Sequence, residues 1–387
     1  MPRIYLDHHA TTPVDSRVVA AMQPWWTERF GNPASPHAFG WEADDAVEAA
    51  RAEVAAAIGA EAREIVFTSG TTESVNLALK GAVEASKRPD PHVVTSAIEH
   101  RAVLDTCAWL ERRGVAVTRV PVDAAGRVDP TGVAAACTDR TVAISVMAAN
   151  NEIGTLQPVA AIGAFARGRG IAFHTDAAQA VTKVPFDVRG ACVDLCSFSA
   201  HKLYGPKGVG ALYVRRSPPR VRVAPQLHGG GHERGLRSGT LPVPLIVGFG
   251  AACRIGLAER ERDAAHAVAL RERLWAALSA TLDGLHQNGH SAERLPGNLS
   301  VAFAGVHGEG LLMQLRDVAV ASGSACTAAS LEPSHVLLAC GLPPDLAHAT
   351  LRFGIGRGNT EAEIDHVAAE VARVVRELRA HVPVLPA

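Results

Sequence analysis

The stretch Ser-Phe-Ser-Ala-His-Lys-Leu-Tyr-Gly-Pro-Lys-Gly (197–208) sets Ser199, His201 and Lys202 after an apolar run and ahead of a glycine-proline loop. A lysine there, partly dehydrated among polar groups, has the nucleophilic amine that Schiff-base chemistry with an aldehyde requires. Most lysines are instead solvated, and Lys207, between Pro206 and Gly208, reads as such a loop residue. Thr-Ser-Gly-Thr-Thr-Glu-Ser (68–74) opens a helix after another apolar run. The free N–H groups and hydroxyls of its first turn suit a phosphate as well as they suit an ordinary N-cap. Asp176, just past Ile-Ala-Phe-His-Thr (171–175), either caps the following helix or holds a positive charge such as a protonated ring nitrogen. Cradle, acid and amine together meet the three needs of pyridoxal phosphate: a site for its phosphate, a partner for its pyridinium and a lysine for its aldehyde.

A fourth stretch, Val-Ala-Ser-Gly-Ser-Ala-Cys-Thr-Ala-Ala-Ser (320–330), surrounds Cys326 with residues too small to pack against it. A thiol in such company belongs on a loop that solvent and substrate reach. Cys107, Cys137, Cys192, Cys196, Cys253 and Cys340 read as buried, inert thiols. An odd total of seven cysteines, scattered over the chain, fits reduced thiols rather than a disulfide framework.

These residues need a scaffold that gathers them. Short apolar runs (64–67, 92–95, 142–146, 171–174, 193–198) alternate with stretches of helical spacing (73–86, 101–113, 157–169), which predicts βα units and a mostly parallel sheet covered by helices on both faces. Ligands of such sheets bind beyond the carboxyl ends of the strands, where the residues above fall. After about residue 243 the pattern changes to a long helix, a strand at 298–303, two shorter helical pieces and a last helix near 360–379. A chain of 387 residues exceeds a comfortable single core, so the reading is a large cofactor-binding domain over 13–260 and a smaller α+β domain from 1–12 and 261–387. With 38 basic against 39 acidic residues and no Lys/Arg run, direct nucleic-acid binding is not expected. No apolar segment approaches the ~20 residues of a membrane span and the start lacks a signal peptide's apolar core, so a cytoplasmic location is expected.

Over nearly its whole length the sequence resembles the fold-type I pyridoxal-phosphate enzymes of the class V aminotransferase family, and within them the NifS/IscS-like cysteine desulfurases. The resemblance rests on Tyr-Leu-Asp (5–7) with Ala-Thr-Thr-Pro (10–13), Phe-Gly-Asn-Pro-Ala-Ser (30–35), the segment 65–74, Glu-His-Arg-Ala-Val (99–103) and Asn-Asn-Glu-Ile-Gly (150–154). It continues through Ser-Phe-Ser-Ala-His-Lys (197–202), the glycine-rich segment 229–240, Ser-Gly-Ser-Ala-Cys-Thr (322–327) and Leu-Arg-Phe-Gly-Ile-Gly-Arg (351–357). It implies a large sheet domain sandwiched by helices and a small domain carrying a mobile loop, about 321–333, of the long-loop branch.

The resemblance also implies roles. Lys202 matches the lysine that bonds the cofactor and later moves protons. Asp176 matches the partner of the ring nitrogen, Gln179 the donor to the phenolic oxygen, and His100 the residue that stacks on the ring and assists as acid and base. Thr71, Thr72, Ser199 and His201 match phosphate ligands, and Thr240 one supplied by a second subunit of a homodimer. Asn151 and Arg352 match the residues that hold the substrate carboxylate. Cys326 matches the nucleophile that takes sulfur from L-cysteine, leaving L-alanine and a persulfide for an acceptor protein in iron–sulfur cluster assembly, tRNA thiolation or another thio-cofactor synthesis. The alternatives on the same fold are a selenocysteine lyase, which could share every one of these residues, another β-lyase, and an aminotransferase, which has no use for Cys326. Asp7-His8-His9 also matches the signature of a metal-dependent phosphoesterase family, but the companion acidic motifs are missing and no metal is expected.

Overall fold

The computed structural model describes residues 3–322 and 332–380. Cys326 lies outside the described residues. The apolar runs become the strands Ile65–Thr68, His92–Ser96, Thr141–Ser145, Ala172–Asp176 and Leu195–Ser199 of one seven-stranded sheet. From Leu195–Ser199 outward through Ala172–Asp176, Thr141–Ser145, His92–Ser96 and Ala116–Val120, every pairing is parallel. Gly210–Val214 lies between Ile65–Thr68 and Leu195–Ser199, antiparallel to both. It returns directly from the loop after Lys202, and a strand that returns without a crossover helix must run antiparallel. Gly210 is required there, because a Cβ would fall 2.6 Å from the Gly70 Cα.

The helices Thr71–Ser86, Arg101–Glu111 and Val159–Arg169 occupy the connections read as helical. Among the parallel strands, Ala116–Val120 is the one the hydrophobic pattern does not reveal. As an edge strand it exposes Ala116, Thr118 and Arg119 and buries only Val120, so no continuous apolar run marks it.

A 39-residue helix, Val243–Thr281, runs roughly 58 Å at the standard rise and serves two cores. Its first half buries Ile246, Phe249 and Cys253 against the large sheet, where Phe249 meets the Phe198 ring edge-on at 5.5 Å. Its second half sends Leu270, Leu274 and Leu278, at helical spacing, into a cluster with Leu299, Phe303, Phe353 and Val371. That second core lies on a four-stranded antiparallel sheet ordered Ala321–Ser322, Thr350–Gly354, Asn298–Phe303 and Leu285–Asn288. The final helix, Glu361–Ala380, covers it with Ile364, Val367, Val371 and Val375.

The amino-terminal arm links the two layers. Ile4–Tyr5 pairs in parallel with Val318–Ala319, Asp7 bridges to Gly354, and Thr12 N–H donates to the His201 carbonyl at 2.9 Å. Residues 7–12 thus pass from the small sheet directly under Lys202.

Candidate functional site

The carboxyl ends of the parallel strands open onto a cavity of about 620 Å³. Thr71, Thr72, His100, Asn151, Asp176, Gln179, His201, Lys202 and Arg352 all line it. Segments separated by up to 281 positions of chain, from Thr71 to Arg352, therefore converge on one space. Ser199 and Thr240 are not part of the lining: Ser199 is buried at its strand end, and Thr240 is exposed.

The phosphate side is a helix start. Gly70 is the N-cap of Thr71–Ser86 and offers no side chain, so nothing from the cap residue satisfies the first-turn N–H groups. The capping alternative thus gives way to an open helix terminus with a positive dipole end. Thr71 Oγ1 and Ser199 Oγ are buried and lack a hydrogen-bond partner among the described residues. His201 Nδ1 lies 3.1 Å from Thr11 Oγ1, and burial together with Lys202, Lys207 and Lys183 pushes its imidazole down to about 4.

Asp176 ends its strand buried, accepting from Ala178 N–H at 3.0 Å. Burial pushes its carboxyl up, while the neighbouring His100, the Ala178 N–H and Lys202 work in the opposite direction. A protonated ring nitrogen would supply the counter-charge that this carboxylate needs. His100 caps the helix Arg101–Glu111, and its Nδ1 accepts from Ala102 N–H at 3.1 Å. That contact fixes the tautomer, with the ring proton on Nε2.

Lys202 Nζ donates to the carbonyls of His9 at 2.6 Å and Ala10 at 2.7 Å, so the arm holds the amine at the cavity. Gln179 Nε2 donates to the same His9 carbonyl at 2.9 Å. Its Oε1 accepts from Lys183 Nζ at 2.9 Å and faces His9 Nδ1 at 3.1 Å, which sets the amide's orientation. Dehydration, with Lys202 and Arg352 nearby, pushes the Lys183 amine down to about 7. His9 and Lys183 escaped the sequence reading. Lys183 had a detectable signal, four positions after Gln179 and hence over the same turn; His9 acts through its carbonyl and a fold-dependent contact, which no motif records.

The opposite wall carries Arg352, the arginine expected to hold the substrate carboxylate. Arg352 is buried and donates to the Asn151 carbonyl at 3.0 Å and to Asp7 Oδ1 at 2.7 Å, while its Nε has no partner among the described residues. Asp7-His8-His9 accordingly serves Arg352, Lys202 and Gln179. Among the described residues no three metal-type side chains converge.

The set fits pyridoxal phosphate. An uncapped helix start with orphaned hydroxyls, a buried carboxyl short of positive charge and an inward-held amine correspond to the cofactor's three polar ends, and the volume suits a small molecule. Of the six cysteines among the described residues, Cys107, Cys196, Cys253 and Cys340 are buried, and burial pushes the Cys107 and Cys340 thiols up to about 12. Cys137 and Cys192 are only half-buried, contrary to the sequence reading. Cys137 ends the helix Pro130–Ala136 and Cys192 sits in a turn at φ 53°, positions where a neighbouring element does not close over the side chain. No helix among the described residues is long and apolar enough to cross a membrane.

Comparison with known proteins identifies the family. The family described as aminotransferase class-V matches residues 4–367. A cysteine desulfurase IscS of Anaeromyxobacter sp. (strain Fw109-5) is 57% identical over 377 residues, covering 97% of this chain and 93% of the relative. One of Rickettsia bellii (strain OSU 85-389) is 50% identical over 97% of this chain and 92% of its own length. A solved NifS-like protein superposes with a TM-score of 0.90 at 38% identity, covering 97% of this chain and all of that one. SspA in complex with cysteine superposes at 0.81 and 37% identity, over 92% of this chain and 100% of that structure.

Proposed function

Since the chain belongs to the class-V aminotransferase family and, within it, to the cysteine desulfurases, we propose that it converts L-cysteine to L-alanine and takes the sulfur onto Cys326. Pyridoxal phosphate, when bound, supplies the electron sink that makes the substrate α-proton acidic and its C–S bond cleavable. The first-turn N–H groups of Thr71–Ser86, with Thr71, Thr72, Ser199 and His201, would hold its phosphate, Asp176 its ring nitrogen, Gln179 its phenolic oxygen and His100 its face. Thr240 of a second copy of the chain would complete the phosphate site, making the working form a cytoplasmic homodimer.

The remaining chemistry belongs to this chain's side chains. Arg352 and the Asn151 amide bind the substrate carboxylate, which fixes the α-carbon beside Lys202. Lys202 Nζ, as the unprotonated amine, removes the α-proton, and the ammonium is received by the carbonyls of His9 and Ala10. The Cys326 thiolate then attacks the substrate sulfur. An S–S bond forms as the C–S bond breaks, the electron pair returns to the substrate carbon, a proton completes the methyl of alanine, and the Lys202 ammonium gives the α-proton back. L-cysteine and one thiol thereby become L-alanine and one persulfide, with no external oxidant. A sulfur-acceptor protein would then take the outer sulfur. We also read the chain as two units that meet near residue 260, within the long helix.

The observation that carries this reading is that the flanks of segment 323–331 attach to the substrate wall: Ala321 is registered with Arg352, and Ser334 donates to Glu152 beside Asn151. The test is Cys326→Ser with L-cysteine and dithiothreitol. Sulfide release should fall to background while the visible cofactor band persists; release at the wild-type rate would refute the assignment.

A further inference from the structure

The desulfurase reading leaves unused one buried acid of the Asn-Asn-Glu-Ile-Gly motif, Glu152, and the start of the short helix His335–Ala339 that follows segment 323–331. Ser334 caps that helix, accepting from Val336 N–H at 3.1 Å and Leu337 N–H at 3.3 Å, while its hydroxyl donates to Glu152 Oε2. One residue later His335 Nε2 donates to the Glu99 carbonyl at 3.0 Å. Glu152 follows Asn151, and Glu99 precedes His100. The helix is therefore pinned at two points to the peptides that carry the substrate-carboxylate and ring-stacking residues.

Those two peptides are themselves one unit. Asn150 Nδ2 donates to the Ile98 carbonyl at 3.0 Å, and Asn150 Oδ1 accepts from the N–H groups of Glu152 and Ile153 at 2.8 and 3.0 Å. Val336 and Leu337 share a buried cluster with Ile98, Met147 and Ile153, so an apolar contact backs the two polar ones. At the other flank Ala321 and Ser322 pair with Arg352 and Leu351. Ordinary packing would explain the apolar cluster, but not why a buried carboxyl whose side-chain partner among the described residues is a serine hydroxyl sits at this junction.

We propose that Ser334, Glu152 and His335 form a clamp that positions the cysteine-bearing segment for sulfur transfer, and that it has no part in removing the α-proton. The proposal rests on the desulfurase reading. Its residues act through Cys326 and are positioning residues. The two halves of the reaction can be separated, because deuterium exchange at the α-carbon of L-alanine uses Lys202, Asn151 and Arg352 and needs no thiol.

The experiment uses the full-length, cofactor-loaded protein and reads both halves: α-proton exchange of L-alanine in D₂O, and single-turnover persulfide formation from L-cysteine on Cys326 by mass spectrometry. In Ser334→Ala and Glu152→Leu, exchange and the visible band should stay within about twofold of wild type while persulfide formation falls about tenfold or more, the scale of a misplaced reactant. Ser334→Thr, which keeps the hydroxyl, should restore it. A parallel fall of both rates, or an unchanged rate of persulfide formation, overturns the clamp. Should these variants fail to fold, His335→Ala keeps the Ser334–Glu152 contact and is read by the same two outcomes. The wild type reports on the desulfurase reading itself: absence of a Cys326 persulfide there removes that reading and the clamp with it, whereas its presence beside an unaffected Ser334→Ala removes the clamp alone.

Discussion

The two walls of the cavity are built differently. One consists of strand ends and the turns that follow them: Thr71 and Thr72 after Ile65–Thr68, Asp176 and Gln179 after Ala172–Asp176, and His201 and Lys202 after Leu195–Ser199. The other is assembled from remote pieces: Asn151 from an irregular turn and Arg352 from the small sheet face the cavity, and behind them stand Asp7 of the arm, bonded to Arg352, and Glu152, bonded to Ser334 at a helix start. The first wall suits a cofactor common to many reactions, since a rigid parallel sheet fixes its polar ends once. In the proposed reading the second wall decides what happens to the bound substrate, and it depends on how the small sheet, the arm and the 150–154 turn fit together.

Breaking the first wall should therefore cost everything, and breaking the second should cost a step. Lys202→Ala is expected to remove both the visible cofactor band and, by about a thousandfold or more, sulfide production, read by absorbance and a sulfide assay. Arg352→Lys keeps the charge but loses the planar fork. It should raise KM for L-cysteine about tenfold to a hundredfold with a smaller change in kcat, in steady-state kinetics; equal changes in both would move Arg352 out of substrate binding.

The smallest effect concerns the buried carboxyl that precedes His100. Burial pushes Glu99 up to about 8, against hydrogen bonds from Ser96 at 2.5 Å and Met147 N–H at 2.9 Å. An acid whose folded pKa is raised loses its proton in the unfolded chain first, so its contribution to stability falls as pH rises from about 4.5 toward 8. Glu99→Gln should flatten that part of the curve, so that the variant gains melting temperature on wild type between pH 5 and pH 8. Parallel curves in calorimetry would show that Glu99 is ionised throughout.

The first wall is also the one the sequence reveals. Strand ends announce themselves by an apolar run followed by a polar residue, so Asp176, Lys202 and the helix start at Gly70 are legible from local pattern. The hidden residues act across the fold. His9 accepts from Lys202 and Gln179 across more than 160 positions, and Ser334 meets Glu152 across 182. No local signal encodes such contacts, because they exist only once the small sheet has docked beside the large one. Ala116–Val120 was hidden for another reason: a solvated edge strand needs no apolar run. Thr240 is exposed in the single chain, and its role belongs to the dimer proposed above.

The central claim is that this cavity directs sulfur from L-cysteine to Cys326. The most direct measurement treats cofactor-loaded protein with sulfur-labelled L-cysteine in the absence of thiols, counts alanine and maps labelled sulfur by peptide mass spectrometry. One alanine should form per persulfide in the first turnover, with the added sulfur on the peptide containing Cys326. Alanine formed without sulfur on that peptide, or sulfur carried on Cys137 or Cys192 instead, would contradict it.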